Sequence, residues 1–128
     1  MTTFREVVFV RTTIVETFQS TMNQCFTIVV EEILGRSVRE EIFQLLERNG
    51  IEPLEISSRF DDVIEVLTRV FGISAQILVY KTVTELYKEY SLRTGFAFGE
   101  SMKDQVAQLR EKVANDLLKP RHYTSIDP

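Results

Sequence analysis

The chain carries few residues of the kinds that act as nucleophiles or as soft metal ligands. Its 128 residues include one cysteine, Cys25, and one histidine, His122. A structural zinc site needs four ligands and a disulfide needs two cysteines, so neither is expected. Cys25 lies within an apolar run, which predicts a buried and unreactive thiol, and His122 follows the last predicted helix. Cysteine–histidine nucleophilic catalysis is therefore not predicted.

Carboxylates occur as adjacent pairs, at Glu31–Glu32, Glu40–Glu41 and Asp61–Asp62. Neighbouring residues of a helix point about 100° apart, so such a pair does not converge on one proton or one metal ion. The chain has five glycines, and neither glycine-rich nucleotide-binding pattern occurs among them. The sequence thus predicts no catalytic residue, no metal and no cofactor, and a non-enzymatic protein.

The charge balance does not favour a polyanionic partner. Fifteen basic and nineteen acidic residues give a formal net charge of −4, so the chain lacks the general positive field that nucleic-acid binding uses. A helical DNA-associated regulator is nevertheless an alternative hypothesis, in which Arg36, Arg39 and Arg48, or the lysines of the last helix, touch phosphates.

The sequence also predicts where the protein works. Its N-terminus lacks the order of basic, apolar and small residues that marks a secretory signal. No apolar run approaches the ~18 residues that a membrane-spanning helix needs. We therefore expect a cytoplasmic protein without a membrane partner.

Apolar residues recur with the 3.6-residue period of a helix along almost the whole chain. This pattern predicts an all-α fold, a bundle of about five helices that begins with a long N-terminal helix ending at Gly35. Capping-box patterns start at both Thr3 and Thr13, and we favour a break near Arg11 over one continuous helix. β-Branched residues are dense at 7–10 and 27–30, so strands in these two stretches are the alternative.

Four further helices are predicted after Gly35. In order, they extend from a capping box at Ser37 to Asn49–Gly50, from Ser57 or Ser58 to Gly72, from Ser74 to about Arg93, and from Ser101 to Pro120. The segment 51–56 contains a proline and is predicted to be an extended connection whose apolar residues reach the core. Residues 1–119 would form one helical domain, and 120–128 would form a C-terminal tail.

Two features of the sequence could bind a partner. Phe96 and Phe98 alternate between glycines in the segment 95–99, and exposed rings there would anchor an unknown protein partner; the alternative is that they fasten this loop to the core. The apolar stripe of residues 4–34 is wider than one helix contact requires, which predicts a homodimer through antiparallel N-terminal helices. The expected dimer interface consists of Val7, Val8, Ile14, Phe18, Met22 and Phe26.

A third hypothesis concerns a small ligand. Tyr80, Tyr87 and Tyr90 all belong to the fourth predicted helix, which is apolar over more than half of its circumference and is expected to be central. A pocket between helices near these tyrosines would make the chain a small-molecule sensor.

The segment from Leu34 to Tyr90 also resembles a known family. The matching positions are Leu-Gly at 34–35, the pattern I-x-x-x-L-E-x-x-G-I over 42–51, Phe60, Leu67 and F-G-x-x-A over 71–75. These positions resemble small archaeal domains that occur alone or as output modules of response regulators. The resemblance implies a helical signalling module without assigned enzymatic residues. Because the first 33 residues cannot form a receiver domain, the stand-alone form is expected here.

Overall fold

The computed structural model describes residues 4–92 and 102–121, with side chains described for 10–92, 102 and 104–121. The described residues form five helices and no strand, which confirms the predicted all-α class. The helices are α1 (Phe4–Leu34), α2 (Arg36–Arg48), α3 (Phe60–Phe71), α4 (Ser74–Glu89) and α5 (Met102–Asp116), with a 3-10 turn at Pro53–Glu55.

Helix α1 is the element on which the others assemble. It packs most extensively against α4 and also touches α2, α5 and the 3-10 turn, while α4 also packs against α3 and α5. The buried stripe of α1 comprises Ile14, Phe18, Met22, Cys25, Phe26, Val29 and Val30. One helix thus provides core contacts for three others, and this is why its apolar stripe is so wide.

The predicted break in α1 is wrong, and so is the strand alternative. The helix continues without interruption through Arg11 and through the β-branched stretches at 7–10 and 27–30. Burial of the stripe outweighs the β propensity of single residues, which is a weak local preference. The hydroxyls of Thr21 and Thr27 donate to carbonyls four residues earlier, at 2.8 and 2.9 Å, so these polar groups are satisfied within the helix.

The predicted serine caps are wrong. Helix α2 follows Gly35 directly, and Ser37 lies inside its first turn. Helix α3 follows Arg59, and α4 begins at Ser74 itself, behind Ile73; none of these three helices has a side-chain cap hydrogen bond. The connections are one or two residues long before α2 and α4, so the chain enters each of these helices from a backbone turn. Ser101 lies outside the described residues.

The predicted C-terminal ends of the helices agree with the structure better than the predicted caps do. Gly35, Gly50 and Gly72 all have positive φ, at 90°, 79° and 60°, and each lies just beyond a helix. Helix α4 is shorter than expected and ends at Glu89. The connection 51–56 forms a 3-10 turn where an extended chain was predicted, but Ile51 and Ile56 at its two ends are buried as expected.

The last described residues pack on the end of α4. Pro120 is buried, and the backbone N–H of Arg121 donates to the carbonyl of Glu89. The beginning of the predicted tail is therefore attached to the bundle. Residues 122–128, with His122, lie outside the described residues.

Candidate interaction surfaces

The dimer interface predicted on α1 is wrong at four of its six positions. Ile14, Phe18, Met22 and Phe26 are 7%, 1%, 0% and 0% exposed and belong to the chain's own core. A residue that fills the core of one chain is not available to a second copy. The side chains of Val7 and Val8 lie outside the described part of the structure, as do Phe96 and Phe98.

A different helix presents apolar side chains to solvent. Val70, Ile73, Ile77 and Tyr80 are 55%, 79%, 63% and 52% exposed, and we call these four residues the α4 surface. Three of them lie at spacings i, i+4 and i+7, which places them on one side of a helix. Val70 lies in the last turn of α3, three residues earlier. The opposite side of α4 is fully buried against α1 and α3, so α4 is apolar on both sides.

The charges on this side of α4 are unevenly distributed. The apolar side chains occupy its N-terminal half, whereas the exposed Lys81 and Lys88 follow four and eleven residues after Ile77. Lys88 pairs with Glu85 at 3.3 Å, an i, i+3 ion pair on the surface. Along this side of the helix, the apolar α4 surface is therefore followed by a charged stretch in which Lys81 and Lys88 alternate with Glu85 and Glu89.

A second candidate surface lies along α1, on the side opposite its buried stripe. A groove of about 500 Å³ is bounded there by α1 on one side and by the 3-10 turn with Phe43 of α2 on the other. We call it the α1 groove. Its lining residues are Glu16, Gln19, Ser20, Asn23, Gln24, Thr27, Ile28, Phe43, Pro53, Leu54 and Ile56.

Leu54 at the edge of this groove is both exposed and fixed. Its side chain is 86% exposed, although the turn that carries it is anchored at each end by a fully buried isoleucine. The Asn23 side chain donates from Nδ2 to the carbonyl of Leu54 (3.4 Å) and accepts at Oδ1 from the N–H of Ser57 (2.9 Å). A capping box between Glu52 and Glu55 closes the turn. The fold thus fixes the backbone that carries this exposed apolar side chain.

The buried thiol fits the prediction made for it. Cys25 is 7% exposed and unpaired. Burial, with smaller contributions from the charges of Glu89 and Glu85, raises the pKa of Cys25 to about 12. A thiol with this pKa is protonated at neutral pH and is a poor nucleophile. Within the described residues, no group of three or more His, Cys, Asp or Glu could hold a metal ion.

The three tyrosines of α4 do not converge on a pocket. Tyr80 points outward, Tyr87 is half-buried and donates to the carbonyl of Gln105 (3.2 Å), and Tyr90 is buried. None of them lines the α1 groove or a second, polar cavity of about 360 Å³ between the start of α3 and α5. The geometry therefore gives no support to the ligand pocket expected near these tyrosines.

Two of the three arginines considered for DNA contacts share one carboxylate. Arg39 Nη1 lies 3.1 Å and Arg36 Nε 4.0 Å from the oxygens of Glu31. In α5, Lys112 pairs with Asp116 at 3.2 Å. These pairs reduce the positive potential that a phosphate backbone would meet. Separately, none of the described helices combines the length and the apolar character that crossing a membrane requires.

Comparison of the chain with protein-family models, with curated proteins and with solved structures gave no match. The choice of functional surface is therefore made from the geometry of this chain.

Proposed function

We propose that the chain is a non-enzymatic protein-interaction domain, regulatory or scaffolding in role, that acts as a homodimer through the α4 surface. The observation that carries this proposal is the set of four large apolar side chains, each more than half exposed, at the end of α3 and along α4. They contribute little to the core, yet all four lie between residues 70 and 80, and Ile73, Ile77 and Tyr80 share one side of α4. Exposed apolar patches of this kind mark interaction sites on soluble proteins.

The four side chains of the α4 surface would form only part of a dimer interface. Apolar patches of roughly 300–600 Å² are the largest on a typical monomer and are often functional. A stable dimer buries about 800 Å² on each subunit, so the α4 surface would supply the apolar centre and neighbouring polar residues would supply the rim. Two-fold symmetry is the simplest arrangement, because it places the same surface of each copy against the other.

The charge distribution on α4 favours an antiparallel dimer. In a parallel pair, each lysine would face its own counterpart across helices 8–10 Å apart, within reach of like-charge repulsion. In an antiparallel pair centred on Ile77, the two copies of Lys81 are about 12 Å apart along the helix axis, and the two copies of Lys88 about 33 Å apart, at 1.5 Å per residue. Both arrangements bring the apolar halves together, and the antiparallel one also separates the lysines.

The regulatory role rests on the resemblance of residues 34–90 to archaeal response-regulator output domains. This segment contains α2, α3 and α4 and therefore the whole α4 surface. A cytoplasmic module whose dimerisation couples to a signalling partner would use the α4 surface as its interaction surface. DNA association stays a prediction that retardation of duplex DNA at low salt would test.

Light scattering after size exclusion tests the proposal. Over about 1–100 µM, a range that covers weak dimers, we expect a species near 30 kDa, twice the chain mass of 14.9 kDa. Ile77→Glu should shift this species to the monomer while the variant keeps its helical circular dichroism spectrum, because Ile77 is 63% exposed and adds little to the core. Ile33→Glu is the matched control, an isoleucine of α1 that is 42% exposed and lies outside the α4 surface.

Two results would contradict the proposal. A monomer of the unchanged protein across the whole concentration range would remove the homodimer. A dimer that Ile77→Glu leaves intact, with the variant folded by circular dichroism, would place the contact elsewhere.

A further inference from the structure

We infer that the α1 groove binds a short amphipathic helix of a different protein, with Leu54 as the apolar anchor and Glu16 as the acceptor for a basic residue at one end of that helix. The groove and the α4 surface have no residue in common, so this inference is independent of the proposed dimer.

The length of the groove fits a helical segment. Its lining on α1 extends from Glu16 to Ile28, twelve residues apart. At 1.5 Å per residue this distance is about 18 Å, the length of a helix of three turns and about twelve residues. Helices that bind in grooves are recognised by apolar side chains spaced i, i+3, i+4 and i+7, and three turns present one such set.

The chemistry of the groove is polarised along this length. Ile28, Phe43, Pro53, Leu54 and Ile56 are apolar. Glu16 is the only charged residue of the lining, and the remaining five residues, all on α1, are uncharged and polar. A cationic residue at one end of the bound helix would therefore meet a carboxylate and no opposing positive charge. Aliphatic side chains would meet the apolar part of the groove.

Leu54 has the properties of a binding anchor. Being 86% exposed, it adds almost nothing to the core, and its position is fixed by Asn23 and by two buried isoleucines. A backbone that is already ordered loses little conformational entropy when a partner covers its side chain, so more of the burial energy appears as affinity.

A second copy of the chain fits this groove less well than a basic partner does. A two-fold contact would bring one α1 groove against another, and each Glu16 would then face a surface whose lining carries no cation. The charge complementarity that the groove offers is therefore used only by a basic segment from a different protein.

A phage library of random twelve-residue peptides, panned on the immobilised full chain, tests the inference. We expect enriched peptides to combine aliphatic residues at helical spacing with a terminal Lys or Arg. Synthetic versions should bind Leu54→Asp at least tenfold more weakly, and Glu16→Lys more weakly than Glu16→Gln. Ile33→Glu, an apolar-to-acidic change at an exposed position of α1 outside both the groove and the α4 surface, should leave peptide affinity unchanged.

Several outcomes would overturn the inference. One is equal enrichment of peptides on the Leu54→Asp variant. The others are enrichment of peptides without a basic residue and no enrichment at all. Leu54→Ala guards against a folding defect, because it adds no charge and should also weaken binding. If the unchanged protein self-associates and Leu54→Asp does not, the occupant of the groove would be a second copy.

Discussion

The rings of Phe18 and Tyr90 lie 5.9 Å apart between centroids, at an interplanar angle of 35°. This contact joins the middle of α1 to the residue that ends α4, and both side chains are buried. The N–H of Arg121 reaches the carbonyl of Glu89 next to it. Three parts of the chain that are far apart in sequence thus meet at one aromatic pair.

Truncation of this pair should cost more stability than any surface change. Phe18→Ala should lower the unfolding free energy by about 3–5 kcal/mol, because a fully buried ring leaves a cavity. Tyr90→Phe should change it by less than about 1 kcal/mol, since the buried hydroxyl of Tyr90 has Thr21 as its polar neighbour but makes no hydrogen bond within 3.5 Å. Urea unfolding measures both values, and a large loss in Tyr90→Phe would reveal a polar contact at this hydroxyl.

The Cys25 thiol should be inert in the folded protein. Burial and a pKa of about 12 leave almost no thiolate at neutral pH, so an aromatic disulfide reagent should react at the rate of unfolding. Denatured protein should react at once, as an ordinary thiol does. Fast labelling of the native chain would contradict the burial of Cys25.

The same pKa predicts a loss of stability in alkali. The unfolded thiol, with an ordinary pKa of 9.0, loses its proton before the folded thiol, whose pKa is about 12. The folded state therefore binds more protons between these values, and the unfolding free energy falls as pH rises above about 9. Burial raises the pKa of Tyr90 to about 12 as well, which adds a fall that begins near pH 10.

Two variants separate these contributions. Urea unfolding of Cys25→Ala between pH 7.5 and 10.5 should show a shallower decline than the unchanged protein, whatever its stability at pH 7.5. Tyr90→Phe should alter only the part of the decline above pH 10. A parallel decline in all three proteins would mean that neither buried group carries the effect.

Helical periodicity located all five helices, because the spacing of apolar residues reports which stretches wrap around a core. It could not tell which apolar side of α4 faces that core. Ile77 and Leu78 are adjacent residues of similar type, yet Ile77 is 63% exposed and Leu78 is 3% exposed. The difference depends on where α1 and α3 pack, and the sequence of α4 does not contain this information.

The wide apolar stripe of α1 led to a wrong prediction of a dimer interface on that helix. An excess of apolar residues on one helix predicts a contact, but the contact can be made within the chain or between chains. In α1 it is made within the chain, by α2, α4 and α5. The excess on α4, which covers more than half of its circumference, was visible in the sequence and is the one that remains exposed. Leu54 gave no periodic signal, because it lies in a 3-10 turn between helices.

The turn between α3 and α4 should not tolerate a side chain. Gly72 has φ 60° and ψ −134°, a combination that residues with a Cβ rarely adopt, although no atom lies within 4 Å of a Cβ built there. Gly72→Ala should therefore cost about 1–3 kcal/mol through backbone strain alone. Ser74→Ala, two residues later at the exposed start of α4, should stay within about 0.5 kcal/mol. Equal stabilities in chemical denaturation would show that this turn relaxes.

The side chain of Asn23 should control how firmly the groove edge is held. It donates to the carbonyl of Leu54 and accepts from the N–H of Ser57, two bonds across 31 and 34 residues. Asn23→Ala removes both bonds and should cost about 1–3 kcal/mol. Asn23→Asp keeps the acceptor for the N–H of Ser57. It loses the donor to the carbonyl of Leu54, because a carboxylate oxygen only accepts, so the turn should be held at one end only.

Amide hydrogen exchange distinguishes these variants from a general loss of stability. The Ser57 amide should exchange faster in Asn23→Ala than in Asn23→Asp. The exchange rates of core amides of α4 should change only as far as the global unfolding free energy changes. Asn49→Ala is the matched control, because the Asn49 side chain bonds locally to the carbonyl of Leu45 at 2.8 Å and touches no part of the groove. Asn23→Ala leaves the Leu54 side chain itself in place. If peptide binding at the groove depends on a fixed Leu54, this variant should nevertheless bind the peptide more weakly. Unaltered affinity in that variant would mean that the anchor needs no preorganisation.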